Sequence, residues 1–488
     1  MTHPVRIIFG ALLAAGVLSA AARIDSRLAD AAKRSDKTEV RALIEQHLDV
    51  NATAVDGDTA LHWAAYWDDL ETARLLLDSG ANVNAANRYG VTPLSLAATN
   101  GSAAMIDLLL KAKADPNAAL PGGETPLMTA ARTGKVDALK SLLASGAEVK
   151  AKDEERGQTA LMWAAAEGNT AAVEMLIEHG ADIHAVSKGG FTALLFAVRE
   201  GKPEVVRTLL KAGADVNETL QKPSRQAGTS AMVLAVANAH FELAAMLLDA
   251  GADPNAAEQG WTALHTITWI RQPGYASNDP APQGSGSMSS IEFVKKIAAK
   301  GANLNARMTR RTNAGLSSLN YIGATPFLMA ARTGDAELMR LLAKLGADPL
   351  IPNADNTTPL MVAAGVGTRS PGEDAGTEPE VLEAVKVALE LGNDINAVDK
   401  NGETAMHGAA YKQVPSVAQY LLDHGAKIEI FNRKNVHGWT PLRIADGVHR
   451  GMNLRSSPET AAVLRKAMNA AGVSTVVDPE EVISGATK

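Results

Sequence analysis

A seven-residue pattern, Thr-x-Leu-x-x-Ala-Ala, recurs along this chain, and its spacing limits the possible folds more than any other feature. It runs from Thr59 to Ala65, from Thr92 to Ala98 and from Thr125 to Ala131, and returns at Thr159, Thr192, Thr262, Thr325, Thr358, Thr404 and Thr440. Ser230 opens a weaker copy and Ser26 a polar first one, which makes twelve units. Where nothing intervenes, the step is 33 or 34 residues. A second pattern, Leu-Leu-x-x-Gly-Ala-Asp/Asn-x-Asn, travels with the first, as from Leu76 to Asn84 and from Leu209 to Asn217. A unit this small cannot bury its own apolar face, so units must stack in one dimension.

Each unit predicts two short helices. The Thr or Ser is an N-cap, and Pro93, Pro126 and Pro326 take the first helical position, where a missing N–H breaks no bond. Leu94, Leu96 and Ala97 mark the inward stripe of a first helix, and the paired alanines let neighbours approach closely. Met105, Ile106, Leu108 and Leu109 carry the second helix. Gly80, Gly146, Gly180, Gly213 and Gly251 stand where that helix stops in a left-handed conformation. Lys113 occupies one of these positions, at a cost of about 1 kcal/mol relative to glycine.

The two linked motifs resemble the ankyrin repeat, over roughly residues 26 to 470. The resemblance implies an all-α solenoid of about twelve helix-turn-helix units with projecting hairpin loops. It also implies a non-catalytic scaffold that binds another protein on its concave side, against hairpin tips and first helices.

Composition points the same way. Hydrophobic residues make up 46% but aromatics only 4%, which suits small packed helices better than a β-sandwich. The formal charge of −7 argues against nucleic acid, which needs clustered Lys and Arg. The absence of cysteine excludes disulfides and thiolate metal sites and suits an oxidising compartment. Residues 1–22 have the three-part layout of a secretory signal: Arg6, an apolar run from Ile7 to Leu18, then small residues up to Ala22. That run is too short to span a bilayer. Cleavage is expected after Ala20 or Ala22, leaving a monomer without a membrane span in the periplasm or outside the cell.

Residues 23–217 form the regular part of the array. Residues 218–471 carry insertions at 271–289, 308–321, 365–379 and 446–457, and 472–488 form a polar tail. The interval from Thr262 to Thr325 is 63 residues and that from Thr358 to Thr404 is 46. Insertions of this kind map to loops on one face of a solenoid.

Candidate chemistry is sparse. His62, His265 and His407 occupy one slot in three separate units, so they cannot converge on a metal; the resemblance makes them structural. Asp115, Asp182, Asp215, Asp253 and Asp348 follow the repeat for the same reason. No phosphate loop, nucleophile elbow or His-Glu-x-x-His motif occurs, and no cofactor or metal is expected. Asn51, Asn217 and Asn356 fit the glycosylation pattern, two of them as standard residues of the repeat.

The candidate contact residues flank the motif. Tyr66, Trp67 and Tyr89, with Arg88 and Arg132, form one expected patch, and Phe191, Arg199 and Trp261 a second. Aromatics and Arg are what interface hot spots are made from. Trp63 and Trp163 are expected in the core. Two other functions stay open at this point: a secreted effector directed at a host, and an enzyme with a site in the insertions between 271 and 379.

Overall fold

The structure is a computed structural model that describes residues 25–273, 282–310, 317–372, 374–450 and 453–476. Residues 1–22, expected to be a secretory signal, lie outside the described residues. So do 274–281, 311–316, 373 and 451–452 within the insertions, and 477–488 of the tail.

Among the described residues, twelve helix pairs follow one another in two compact units, divided between Glu154 and Glu155. The first unit holds four pairs, from Arg27–Lys33 with Lys37–Glu45 to Pro126–Thr133 with Val136–Ala144. The second holds eight, from Ala160–Glu167 with Thr170–Glu178 to Pro441–Asp446 with Pro458–Ala470. An extra single turn, Ile428–Phe431, precedes the last pair. Within each unit, first helices pack on first helices and second helices on second helices.

The local chemistry is as the motif requires. Thr92, Thr125, Thr159, Thr192 and Thr325 each accept the backbone N–H three residues on, which satisfies one orphan donor of the helix start. The paired alanines are buried, as at Ala64, Ala65, Ala97 and Ala98. Lys113 takes a φ of +72°, the left-handed conformation that its glycine counterpart Gly80 adopts at +87°.

The repeat asparagine has a separate task. The side-chain oxygen of Asn84 accepts the Asp115 N–H at 2.8 Å, and its amide donates to the Lys113 carbonyl at 3.1 Å. Asn51, Asn117, Asn255 and Asn396 clamp the next loop in the same way. Where Leu350 replaces this asparagine, Asn393 of the following unit reaches back to the Pro349 carbonyl at 3.1 Å. The ladder therefore ties each loop to the next through backbone groups that a stack of short helices leaves open.

Two expectations need correcting. The stretch at 446–457 is more than a loop: Val448–Arg450 pairs antiparallel with Asn453–Arg455, anchored by buried Val448. Trp63 and Trp163 are half-buried, whereas Leu61, His62, Ala64 and Ala65 beside Trp63 are fully inside. The fifth motif position is therefore half-buried where it holds a tryptophan, although Phe196, Met329 and Val362 are buried at the same position.

Candidate interaction surface

The periodic polar residues belong to the frame. In the unit opened by Thr59, His62 Nδ1 accepts the Thr59 N–H at 3.1 Å, so the ring proton sits on Nε2. Nε2 then donates to the Val91 carbonyl of the next hairpin at 2.9 Å. His265 and His407 repeat this with the carbonyls of Ala324 and Arg433. Burial pushes both rings down to about 4, so they stay neutral and act as inter-repeat pins. Among the described residues no group of three or more His, Cys, Asp or Glu is placed to hold a metal ion.

The side chains outside the frame lie on the face lined by first helices and hairpin tips. In the first unit, Tyr66 and Trp67 end the helix Ala60–Tyr66, with their rings edge-on at 4.8 Å. Trp63 joins them edge-on at 5.8 Å from Tyr66, and the Lys33 ammonium lies 4.8 Å over the Trp63 ring. The Trp67 indole donates to the Lys33 carbonyl at 3.1 Å, which holds its ring flat across two units. The Asn100 amide donates to the carbonyls of Ala65 and Tyr66. Even so, 47% of Tyr66 and 51% of Trp67 remain exposed.

The expected first patch is only partly assembled. Arg88 and Tyr89 sit at a hairpin tip, where Arg88 donates from its backbone to the Asp56 carbonyl and from its side chain to the Val55 carbonyl. Tyr89 is exposed there, at the opposite end of the first helix from Tyr66, about 10 Å along. Among the described residues no ring contact joins Tyr89 to Tyr66. Arg132 ends its own first helix and lies 3.7 Å from Glu124. Adjacent repeats alone do not bring these residues together, because they stand at opposite ends of the first helices. Lys33 and Asn100 also belong to the cluster, as does Trp63, which the sequence pattern had placed in the core. Lys33 and Trp63 sit seven and four residues after their caps, about two turns and one turn along the same face of neighbouring first helices.

In the second unit, Phe191 and Phe196 pack 5.0 Å apart, and the Arg199 guanidinium lies 4.9 and 5.0 Å from their two rings. Trp261 does not join them. It stands two repeats away, roughly 16–20 Å along the stack. It packs edge-on against Trp269 at 5.9 Å, in a satellite core with Met308, Leu319, Tyr321, Met329 and Val362. The expected second patch is therefore split.

That satellite core shows what two insertions do. The enlarged hairpin folds back over the inner face and buries Met308, Leu319 and Tyr321. Its Ser317 bridges to Thr368 of the following insertion, and Ser318 donates to the Gly367 carbonyl at 2.9 Å. Asp374 pairs with Arg332 at 3.3 Å, and the Ala375 carbonyl accepts from Lys412 Nζ at 2.6 Å. Burial pushes the Lys412 ammonium down to about 8. Gly408 makes room for this path, since a Cβ there would lie 2.7 Å from the Val366 nitrogen. The remaining described part of the first insertion packs elsewhere, with Ser285 on His240 and Ser287 on Glu242. From Trp261 to Tyr411 the chain covers its own inner face.

No helix among the described residues is long and apolar enough to cross a membrane. A family model described as ankyrin repeats (three copies) matches residues 28–120, 86–153, 127–220 and 377–448, and a single-repeat ankyrin model matches 322–354. Protein lin-12 of Caenorhabditis elegans is similar to part of the chain, at 30% identity over 172 residues. The match covers 34% of this chain and 10% of that relative, so the chain spans about a tenth of the relative's length.

Proposed function

Because the chain belongs to the ankyrin-repeat family, we propose that it is an exported, non-catalytic scaffold that holds another protein on the inner face of its stacked repeats. One observation carries this reading. The repeating His, Asn and Thr side chains are occupied by the frame, while Tyr66, Trp67 and Tyr89 stand exposed. Large aromatics left bare on a face that the family uses for binding are hot-spot material. Export is supported by the layout of residues 1–22 and by the absence of cysteine.

Two measurements test the proposal. The full chain is captured from native cell-envelope extract beside the variant carrying Tyr66→Ser, Trp67→Ser and Tyr89→Ser. The reading predicts a protein that co-purifies with the first and is lost from the second; equal capture by both would remove the inner face from the account. Fractionation with mass spectrometry of the N-terminus checks export. A mature chain starting after Ala20 or Ala22 outside the cytoplasm is the expected result, and an uncleaved cytoplasmic chain contradicts it.

A further inference from the structure

In the second unit, hairpin tips of successive repeats touch one another. The Gln221 N–H donates to the Gly190 carbonyl at 3.1 Å, and the Thr309 N–H to the Gly260 carbonyl at 2.9 Å. Between these two links, a Cβ on Gly228 would lie 3.0 Å from the Glu258 Cβ. Four tips therefore form one row, bearing Lys188, then Lys222 with Arg225, then Glu258, then Arg307 with Arg310. All of these side chains are exposed. The row carries five positive charges and one negative, in a chain whose formal charge is −7.

Lys222, Arg225 and Arg310 have no ion-pair partner among the described residues. The Arg307 guanidinium donates to the carbonyls of Gly323 at 3.1 Å and Pro352 at 2.8 Å, which fixes the group without neutralising it. Second helices of the same repeats differ: there Arg207 meets Glu204, and Lys296 and Lys300 both meet Asp249. The row is also bounded. Glu155 stands beside Arg156 at the tip before it, and Asp355, which accepts the Asn320 amide at 3.1 Å, at the tip after it.

We propose that this row takes an extended, acidic segment of a partner protein, with carboxylates about three residues apart and a neutral or basic residue opposite Glu258. The inference rests on the scaffold reading above and names the chemistry of the partner.

Sign, spacing and interruption select that occupant. Uncompensated Lys and Arg along one edge attract an anionic partner and steer its approach. Neighbouring repeats stack roughly 8–10 Å apart, and an extended chain advances roughly 3.3 Å per residue, so every third residue meets the next tip. Glu258 decides between kinds of polyanion. Nucleic acid and an anionic bilayer present one sign of charge throughout and would set a like charge against Glu258. A polypeptide changes sign at that one place by a single residue.

Fluorescence polarisation at low ionic strength, with the purified full chain, tests this. The probe is the labelled peptide Asp-Ser-Ser-Asp-Ser-Ser-Lys-Ser-Ser-Asp. One control replaces its Lys by Asp, which makes it uniformly acidic, and another replaces every Asp by Asn. The proposal predicts saturable binding of the probe, ~3-fold weaker binding of the uniform control and at least ~10-fold weaker binding of the Asn control. Lys222→Glu combined with Arg225→Glu, both on an exposed tip, weakens probe binding by ~10-fold or more in a chain still folded by circular dichroism. Glu258→Lys reverses the preference, so that the uniform control binds more tightly than the probe. Lys140→Ala, in the other unit, leaves binding unchanged. Equal binding of probe and uniform control, in the parent and in Glu258→Lys alike, overturns the proposal. So does tighter binding of oligothymidylate or of phosphatidylglycerol vesicles than of the probe, or full binding by the folded Lys222→Glu, Arg225→Glu chain. A chain that ignores every probe yet captures a cellular partner through Tyr66, Trp67 and Tyr89 overturns this inference alone and leaves the scaffold reading standing.

Discussion

Glu218 shows how one residue replaces another across a repeat boundary. In the unit opened by Thr192, the histidine slot holds Leu195, and the Thr192 hydroxyl donates instead to the Glu218 carboxyl in the next loop. Burial pushes that carboxyl up to about 7. A folded-state value above the unfolded one means the folded chain binds the extra proton. Stability from this group is therefore full below about 4.5 and is lost as pH rises through about 7. Glu218→Gln keeps the bond and removes the titration. Urea unfolding should show the variant about 3 kcal/mol more stable than the parent at pH 8 and nearly equal to it near pH 4.5. Sequence alone could not find this residue, because the compensating side chain lies in the following unit. Tyr66 and Tyr411 make the same point for the surface. Their motifs match, yet the Tyr411 hydroxyl is held by Glu403 and Asn435 and its ring is buried, while Tyr66 stays half exposed.

Helix caps and loops are the scale at which sequence spoke most clearly. Caps, alanine pairs and left-handed glycines follow from local backbone chemistry and fall where the motif put them, except that Ser26 caps nothing: its backbone is already helical and its hydroxyl donates to Asp30. Lys113 is the instructive departure. Lys113→Gly relieves a φ of +72° and should raise stability by about 1 kcal/mol in thermal unfolding, seen as a higher Tm. The insertions were legible as interruptions but not as structure. Nothing local announces that Met308 and Leu319 return to Trp261 and Trp269, since that contact joins segments tens of residues apart. Leu319→Ala should cost about 2–4 kcal/mol and red-shift tryptophan emission as the indoles meet water. An unchanged spectrum in a folded variant would place the hairpin off the inner face.

At the scale of the whole molecule, one frame carries two kinds of inner face. In the second unit, insertions cover the stretch from Trp261 to Tyr411 with the chain's own residues. In the first unit, the corresponding positions around Tyr66 are bare. A scaffold built from repeats gains specificity by this means, because the frame is nearly constant and only the covering differs. The account therefore turns on whether the bare stretch touches a partner. Site-directed photo-crosslinking in native cells measures this directly, with a photoreactive side chain placed at Tyr66, Trp67 or Tyr89, and at Arg74 or Lys140 on the exposed face of second helices as controls. The account predicts one discrete protein adduct from the inner positions and none from the outer ones. Adducts from Arg74 and Lys140 with none from Tyr66, Trp67 or Tyr89 would contradict it.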